Sequence, residues 1–337
     1  IGYLADVSGG KVAAARSPFR FFVFLAFFGH GPSGPIVRYD QQLPCLDAKA
    51  AERQVSLDRF CYGIKRFVLG LAKKAIIADQ LALIYSRVTS VPAATVPAPA
   101  LVLGYLAYMM QLYFDFSGYS DMAIGIGSFF GLELPENFNY PYLSCSVGEY
   151  WRRWHMSLSG WFRDYVYIPL GGSRCSLAKN CRNLLIVFLL TGLWHGAAWT
   201  FILWGLWFCL LLLGEKFLWG HFLEQLPSPI RWACTMLAVI LSWVLFRAAD
   251  LGQAWAYLGA MFGQTPGLAQ DGQAVYYLLQ FWPEWILALR PGGPPVRRSP
   301  CGRPGYWPWG CWSSPMGCWS PAPSIPSSIS NSKEAPP

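Results

Sequence analysis

The longest stretch of this chain without a formal charge runs from Leu184 to Gly214, 31 residues. A straight helix of that length would measure about 46 Å, well beyond the ~30 Å hydrocarbon core of a bilayer. Its interior carries Gly192-Leu-Trp-His-Gly196. Two helical pieces meeting at a break are therefore expected, an arrangement that membranes tolerate where the freed backbone lines a cavity. A second polar intrusion, Gln111-Leu-Tyr-Phe-Asp-Phe-Ser-Gly-Tyr-Ser-Asp-Met122, interrupts another apolar run. An ionisable group at bilayer depth costs about 3 kcal/mol on insertion scales, so it usually lines a pathway or a site. The chain reads as an all-α membrane protein with chemistry inside the membrane.

Composition agrees. Of 337 residues 54% are hydrophobic and 13% charged, against about 25% charged in soluble domains. Aromatic residues make up 17%, as suits side chains that anchor at both water–lipid boundaries. The net charge of +8 does not indicate nucleic acid, because its cations are scattered in small groups such as Lys73-Lys74 and Arg152-Arg153. That pattern fits cytoplasmic loops under the positive-inside rule. Ten cysteines without a Cys-x-x-Cys pair give neither a zinc motif nor a compact disulfide framework, so most read as small apolar fillers and no metal is expected.

Along the chain, the uncharged run Phe21 to Val37 is broken by His30-Gly-Pro-Ser-Gly-Pro35 and suits either a marginal span or a re-entrant helix. Residues 38–66 are polar and read as an extramembrane loop, followed by a helical period over Lys65 to Tyr85. Pro92, Pro97 and Pro99 mark a loop, yet the 27 uncharged residues from Val88 to Phe114 would suffice for one tilted span. Glycines at 118, 125, 127 and 131 would let helices approach closely in lipid. Pro135 to Pro141 is turn-rich. Trp151, Trp154, Leu158, Trp161, Tyr165 and Ile168 recur at three and four, one face of a single helix lying in or dipping into the interface. Trp232 to Phe246 and Ala274 to Leu289 are further apolar pieces. Residues 1–290 form one membrane unit. Residues 291–337 differ abruptly, with 12 of the 26 prolines and no leucine. This Pro/Trp/Cys-rich tail reads as disordered or frame-shifted, and no function is expected of it.

Among four histidines, His195 is the first candidate for chemistry: a neutral imidazole there could take a proton from a hydroxyl. The alternative is a buried His bonding a carbonyl at the break. His155 is the second, on the aromatic helix four residues before Ser159, with an interfacial ring pointing at water as its alternative. His30 and His221 read as structural or surface residues. If the segment is helical, Asp115 and Asp121, six apart, do not share a face, which disfavours a paired-carboxylate device; each would pair with Arg or Lys or accept backbone N–H bonds in a bundle interior. No Gly-x-Ser-x-Gly, Walker or His-Glu-x-x-His motif occurs, so hydrolase, NTPase and zinc-protease readings lose their main signatures.

The ordered blocks Gly34-Pro-Ile-Val-Arg38, Gly70-Leu-Ala-Lys-Lys74, Gln111 to Asp121, Pro135-Glu-Asn-Phe-Asn-Tyr-Pro-Tyr142, Trp151-Arg-Arg-Trp-His-Met-Ser-Leu-Ser159, Trp161 to Gly172 and Gly192-Leu-Trp-His-Gly196 resemble the membrane-bound O-acyltransferase family. Within it they are similar to the branch of bacterial alginate O-acetyltransferases and D-alanyl transfer proteins of teichoic acid. The resemblance covers residues 1–250, and more weakly up to 290. It implies a multi-pass ring of helices around a central tunnel in the bacterial inner membrane, with re-entrant or interfacial helices. It makes His195 the essential catalytic His and His155 a second functional residue. The family's first membrane helices have no counterpart before Ile1, which marks the unit as N-terminally truncated.

The activity implied is acetyl transfer from a cytoplasmic donor, acetyl-CoA, to hydroxyls of an exopolysaccharide acceptor such as alginate. Periplasmic acetyltransferase partner proteins could complete the transfer, membrane lipid surrounds the protein, and no bound cofactor is implied. Two alternatives stay open: D-alanyl transfer to teichoic acid, and a non-enzymatic conduit or scaffold for polysaccharide export.

Overall fold

The computed structural model describes residues 1–27, 34–47, 56–264 and 272–289. Three short helices, α1 (Gly2–Ser8), α2 (Pro18–Ala26) and α3 (Tyr39–Asp47), precede the first long rod. There α4 (Leu57–Ala72) runs through a π-turn at Lys73–Ala78 into α5 (Asp79–Thr89). The Ser56 hydroxyl caps its start by accepting from the Arg59 N–H, satisfying one of the orphan donors of a helix N-terminus. Part of the segment read as an extramembrane loop is thus helical.

α6 (Ala98–Phe129) is a single helix of 32 residues, about 48 Å long. This corrects one expectation and settles an open point. The uncharged run from Val88 to Phe114 is divided: Val88 belongs to α5, and the proline turn separates it from α6. The helix also continues through the polar block, because both carboxylates have cations. Asp121 accepts from Arg66 Nε at 2.8 Å and from Lys73 Nζ at 2.6 Å, and Lys74 Nζ lies 3.0 Å from Asp115.

The α4–α5 rod runs antiparallel to α6, and glycines set the spacing. A Cβ on Gly70 would meet the Gly118 carbonyl oxygen at 2.4 Å, and one on Gly125 would meet the Gly63 oxygen at 2.6 Å. In lipid there is no hydrophobic drive between helices, so such close backbone packing is what holds them.

The second half begins with α7 (Val147–Arg153) and α8 (Met156–Phe162), the latter passing into a π-turn at Arg163–Tyr167. Next come α9 (Leu177–His195), α10 (Trp199–Gly214), α11 (Gly220–Glu224), α12 (Ser228–Arg247), α13 (Leu251–Met261), α14 (Gln273–Gln280) and α15 (Trp282–Leu289). The expected break in the long uncharged run is present, with Gly196 to Ala198 joining α9 to α10. α9 and α10 form an antiparallel hairpin, again on small residues: Cβ atoms at Gly192 and Gly205 would strike the carbonyls of Phe201 and Phe188 at 2.5 and 2.3 Å. Two helical stretches, Trp199–Glu224 and Ser228–Arg247, are long and apolar enough to cross a membrane. The core between α7, α10 and α12 is aromatic, with Tyr150, Trp204, Phe208 and Trp243 all buried. Among the described residues there is no strand. The tail at 291–337 and His30 lie outside the described residues.

Candidate active site

His195 is the last residue of α9, and three helices supply its surroundings. Ring centroids of Trp194 (α9), Trp204 (α10) and Phe246 (α12) lie 4.9, 5.1 and 5.1 Å from the imidazole. Phe201 is farther, at 6.3 Å, and it fits only because residue 196 is glycine: a Cβ there would meet the Phe201 ring at 2.6 Å. The ring is half-buried, and none of the described residues hydrogen-bonds it. The alternative of a histidine tied to a carbonyl at the break is therefore not realised among them.

His155 is placed differently from expectation. The periodic stretch Trp151 to Ile168 is not one helix, because α7 ends at Arg153 and His155 takes a left-handed conformation (φ 45°, ψ 53°) before α8 begins. Such a conformation is unfavourable for a residue with a Cβ, by about 1–3 kcal/mol. The ring is 4% exposed, so the interfacial, water-facing alternative fails as well. The interruption is two residues, Trp154 and His155, and Trp154 within it and Leu158 beyond it stay buried.

Asn137 holds this kink. Its backbone carbonyl accepts from the Met156 N–H at 2.9 Å. Its side-chain Oδ1 accepts from the Ser157 N–H at 3.2 Å and the Ser157 hydroxyl at 2.9 Å, and lies 3.0 Å from His155 Nδ1. The Ser157 hydroxyl in turn accepts from the Ile36 N–H at 3.0 Å, which docks the Gly34–Arg38 block against α8. Arg38 also pairs with Asp164. Burial alone would push the Asp164 carboxyl up, but Arg163 and Arg38 outweigh it and hold the group below the usual carboxylate range.

The two candidate histidines are brought together across one indole. Trp194 lies 6.1 Å from His155 and 4.9 Å from His195, centroid to centroid. From α6 the contribution is Phe116, edge-on to His155 at 4.8 Å. Asp115 and Asp121 are occupied with their cations. His221 is exposed, 3.2 Å from Gln225 Nε2, in keeping with a surface role. Sequence reasoning missed Asn137 and Ser157. The only signal for Asn137 was its place in the Pro135–Tyr142 block, where it read as a turn residue.

A broken membrane helix with an imidazole in an aromatic shell, facing a second imidazole pinned by an amide, defines a helical membrane protein with a candidate acid–base site. The sequence pattern of the membrane-bound O-acyltransferase family matches residues 14–250, and the chain belongs to that family. It is 45% identical over 262 residues to the "Probable alginate O-acetylase AlgI" of Azotobacter vinelandii, covering 78% of this chain and 51% of the relative. It is 39% identical over 247 residues to a "Peptidoglycan O-acetyltransferase" of Helicobacter pylori, covering 72% and 46%. Similarity to a "Teichoic acid D-alanyltransferase" of Bacillus subtilis is 34% over 236 residues, covering 66% and 58%. The chain spans about half the length of the curated alginate relatives it matches.

Proposed function

We propose that the chain is an O-acetyltransferase unit that moves an acetyl group from acetyl-CoA to hydroxyls of an exported polysaccharide such as alginate. Transfer is direct or passes through a periplasmic partner. The protein sits in the bacterial inner membrane as a multi-pass ring of helices around a tunnel, surrounded by lipid. The observation that carries the reading is the pair of imidazoles flanking Trp194 at a broken helix. Higher identity to the alginate relatives than to the D-alanyl relative, 45% against 34%, favours acetyl over D-alanyl transfer.

In this reading His195 is the general base. Its free nitrogen takes the proton of the acceptor hydroxyl as the oxygen attacks the thioester carbonyl. The C–O bond forms, the C–S bond breaks, and the thiolate leaves and takes up a proton. A positioned base of this kind contributes about 10²–10⁴ in rate.

His195→Ala in the full chain is expected to lower polymer acetylation by at least about 100-fold while membrane insertion and yield stay unchanged. Acetyl content of the polymer is the readout. Normal acetylation by that variant would remove the catalytic assignment and leave the conduit, which needs a polar lining but no single histidine.

A further inference from the structure

We infer that Asn137 is a positioning residue that locks the proton of His155 onto Nδ1, so that Nε2 is kept as a hydrogen-bond acceptor for a hydroxyl of the acceptor. The inference rests on the transferase reading above and assigns His155 to the acceptor side of the reaction.

The chain of constraints starts from a group with no freedom. A backbone N–H can only donate, so the Asn137 atom that faces the Ser157 N–H at 3.2 Å is the oxygen. That oxygen can only accept. It lies 3.0 Å from His155 Nδ1, so Nδ1 carries the hydrogen. The remaining contacts agree. Ser157 Oγ accepts from the Ile36 N–H at 3.0 Å, which leaves its own proton to donate to Asn137 at 2.9 Å. The amide nitrogen faces Ser120 Oγ at 3.4 Å, where it donates. Flipping the amide would turn its contacts with Ser157 Oγ and Nδ1 into donations from the NH₂, but would leave the buried Ser157 N–H facing a second donor with no acceptor. Asn137 is 1% exposed, and Ser120, His155 and Ser157 are buried with it. The Ser157 N–H, which can only donate, is the contact that decides the orientation of the amide and with it the hydrogen on Nδ1.

A neutral imidazole has one donor and one acceptor nitrogen, and here the donor is spent on Asn137. What Nε2 can bind is a group that brings a hydrogen. The reacting atoms of a thioester bring none, whereas a hydroxyl does. A saccharide carries several hydroxyls, so one can face His195 while a neighbour donates to His155. A carbonyl-polarising role for neutral His155 is excluded by the same tautomer. The left-handed backbone at His155 has a purpose on this view, since it turns Nδ1 towards Asn137 in place of continuing α7 into α8.

The test reads the tautomer directly, without turnover. Nitrogen NMR of histidine-labelled full chain in lipid resolves protonated from bare ring nitrogens, and four histidines make the assignment tractable. Loss of one signal set in His155→Gln identifies His155. The expected result is a protonated Nδ1 and a bare Nε2 in the unaltered chain. Asn137→Leu should shift His155 towards the opposite tautomer, while Asn137→Asp, which retains an acceptor oxygen, should keep it. In steady-state transfer, Asn137→Leu should raise KM for the saccharide acceptor by roughly tenfold, the scale of one hydrogen bond, with KM for acetyl-CoA unchanged. Asn137→Asp should restore acceptor KM towards normal. A protonated Nε2 in the unaltered chain overturns the inference without any variant having to fold. So does an equal rise of both KM values, which marks a merely structural loss. If the tautomer is as stated but His195→Ala still transfers acetyl, the catalytic role given to His155 falls with the transferase reading, and the Nδ1 assignment alone stands.

Discussion

Asp121 is the residue that most clearly tests the electrostatic logic of the chain, because it is buried between two cations. Its carboxylate accepts from Arg66 and Lys73, and Arg66 is shared with Glu136 through a second pair of bonds at 2.9 and 2.6 Å. Asp121→Asn leaves two cations facing one carboxylate in a site only about a tenth exposed. Removing one partner of a buried pair costs about 3–5 kcal/mol, and the lower end is expected here because Glu136 remains. Thermal unfolding in detergent should register the loss, with Asp115→Asn, at an exposed pair, changing stability by less than about 1 kcal/mol. The spacing of the two carboxylates ruled against a shared acid–base device, and of the two fates the sequence left open, cation pairing or backbone N–H bonds, the structure has the first. The burial of His155 was not legible in the sequence. Its partner Asn137 lies in an aperiodic loop 18 residues away, and no local pattern distinguishes an asparagine that shapes a turn from one that pins a distant ring.

At the scale of helices, length and charge told where the elements are, and small residues decide how they meet. The break at Gly192–Gly196 followed from a run too long for one span. The kink at His155 left no trace, because heptad-like spacing of tryptophans reads the same through one left-handed residue. Whether the polar block of α6 stays helical was open in the sequence; it does, and ion pairs with the neighbouring rod offset the cost of its carboxylates. The same reasoning gives a test. Gly192→Val places a branched Cβ where even a methyl would meet the Phe201 carbonyl at 2.5 Å, inside the α9–α10 hairpin that carries His195. Overpacking of this kind costs about 1–3 kcal/mol, and displacement of the hairpin should lower transfer at least tenfold beyond the loss of folded protein. Gly272→Ala, whose Cβ meets none of the described residues within 4 Å, serves as the control: at the N-cap of α14 it should cost no more than about 1 kcal/mol and leave transfer per folded protein unchanged. Equal behaviour of the two variants would show that close approach of α9 and α10 does not position the site.

Across the whole molecule, the two histidines sit on separate units that must be kept in register. His195 belongs to the α9–α10–α12 group, whereas His155 lies between α7 and α8. Which helices neighbour one another was not readable from periodicity, because in lipid partners are chosen by shape and polar ties and not by apolar stripes. One such tie joins the units. Glu215, just past α10, accepts from the Val147 N–H at 2.7 Å and the Gly148 N–H at 3.1 Å, the free donors at the start of α7. A carboxylate there also meets the positive end of the helix dipole. Gly148 makes room for it, since a Cβ would stand 2.8 Å from Glu215 Oε1. Ser146 caps the same turn by accepting from the Glu149 N–H at 3.0 Å, so α7 would still form without Glu215. What would be lost is the polar tie to α10, leaving the aromatic packing of Tyr150 and Trp151 on Trp204 and Phe208. Glu215→Ala is therefore expected to lower stability by about 1–3 kcal/mol and to reduce transfer by a larger factor than the fall in folded protein. Glu215→Gln, which keeps one acceptor oxygen and forfeits the charge, should recover more than half of both. The comparison needs unfolding midpoints in detergent alongside acetylation rates normalised to inserted protein. If Glu215→Ala lowers rate and folded fraction in equal proportion, the tie serves stability alone, and the register of the two imidazoles is set by Asn137 and the aromatic core.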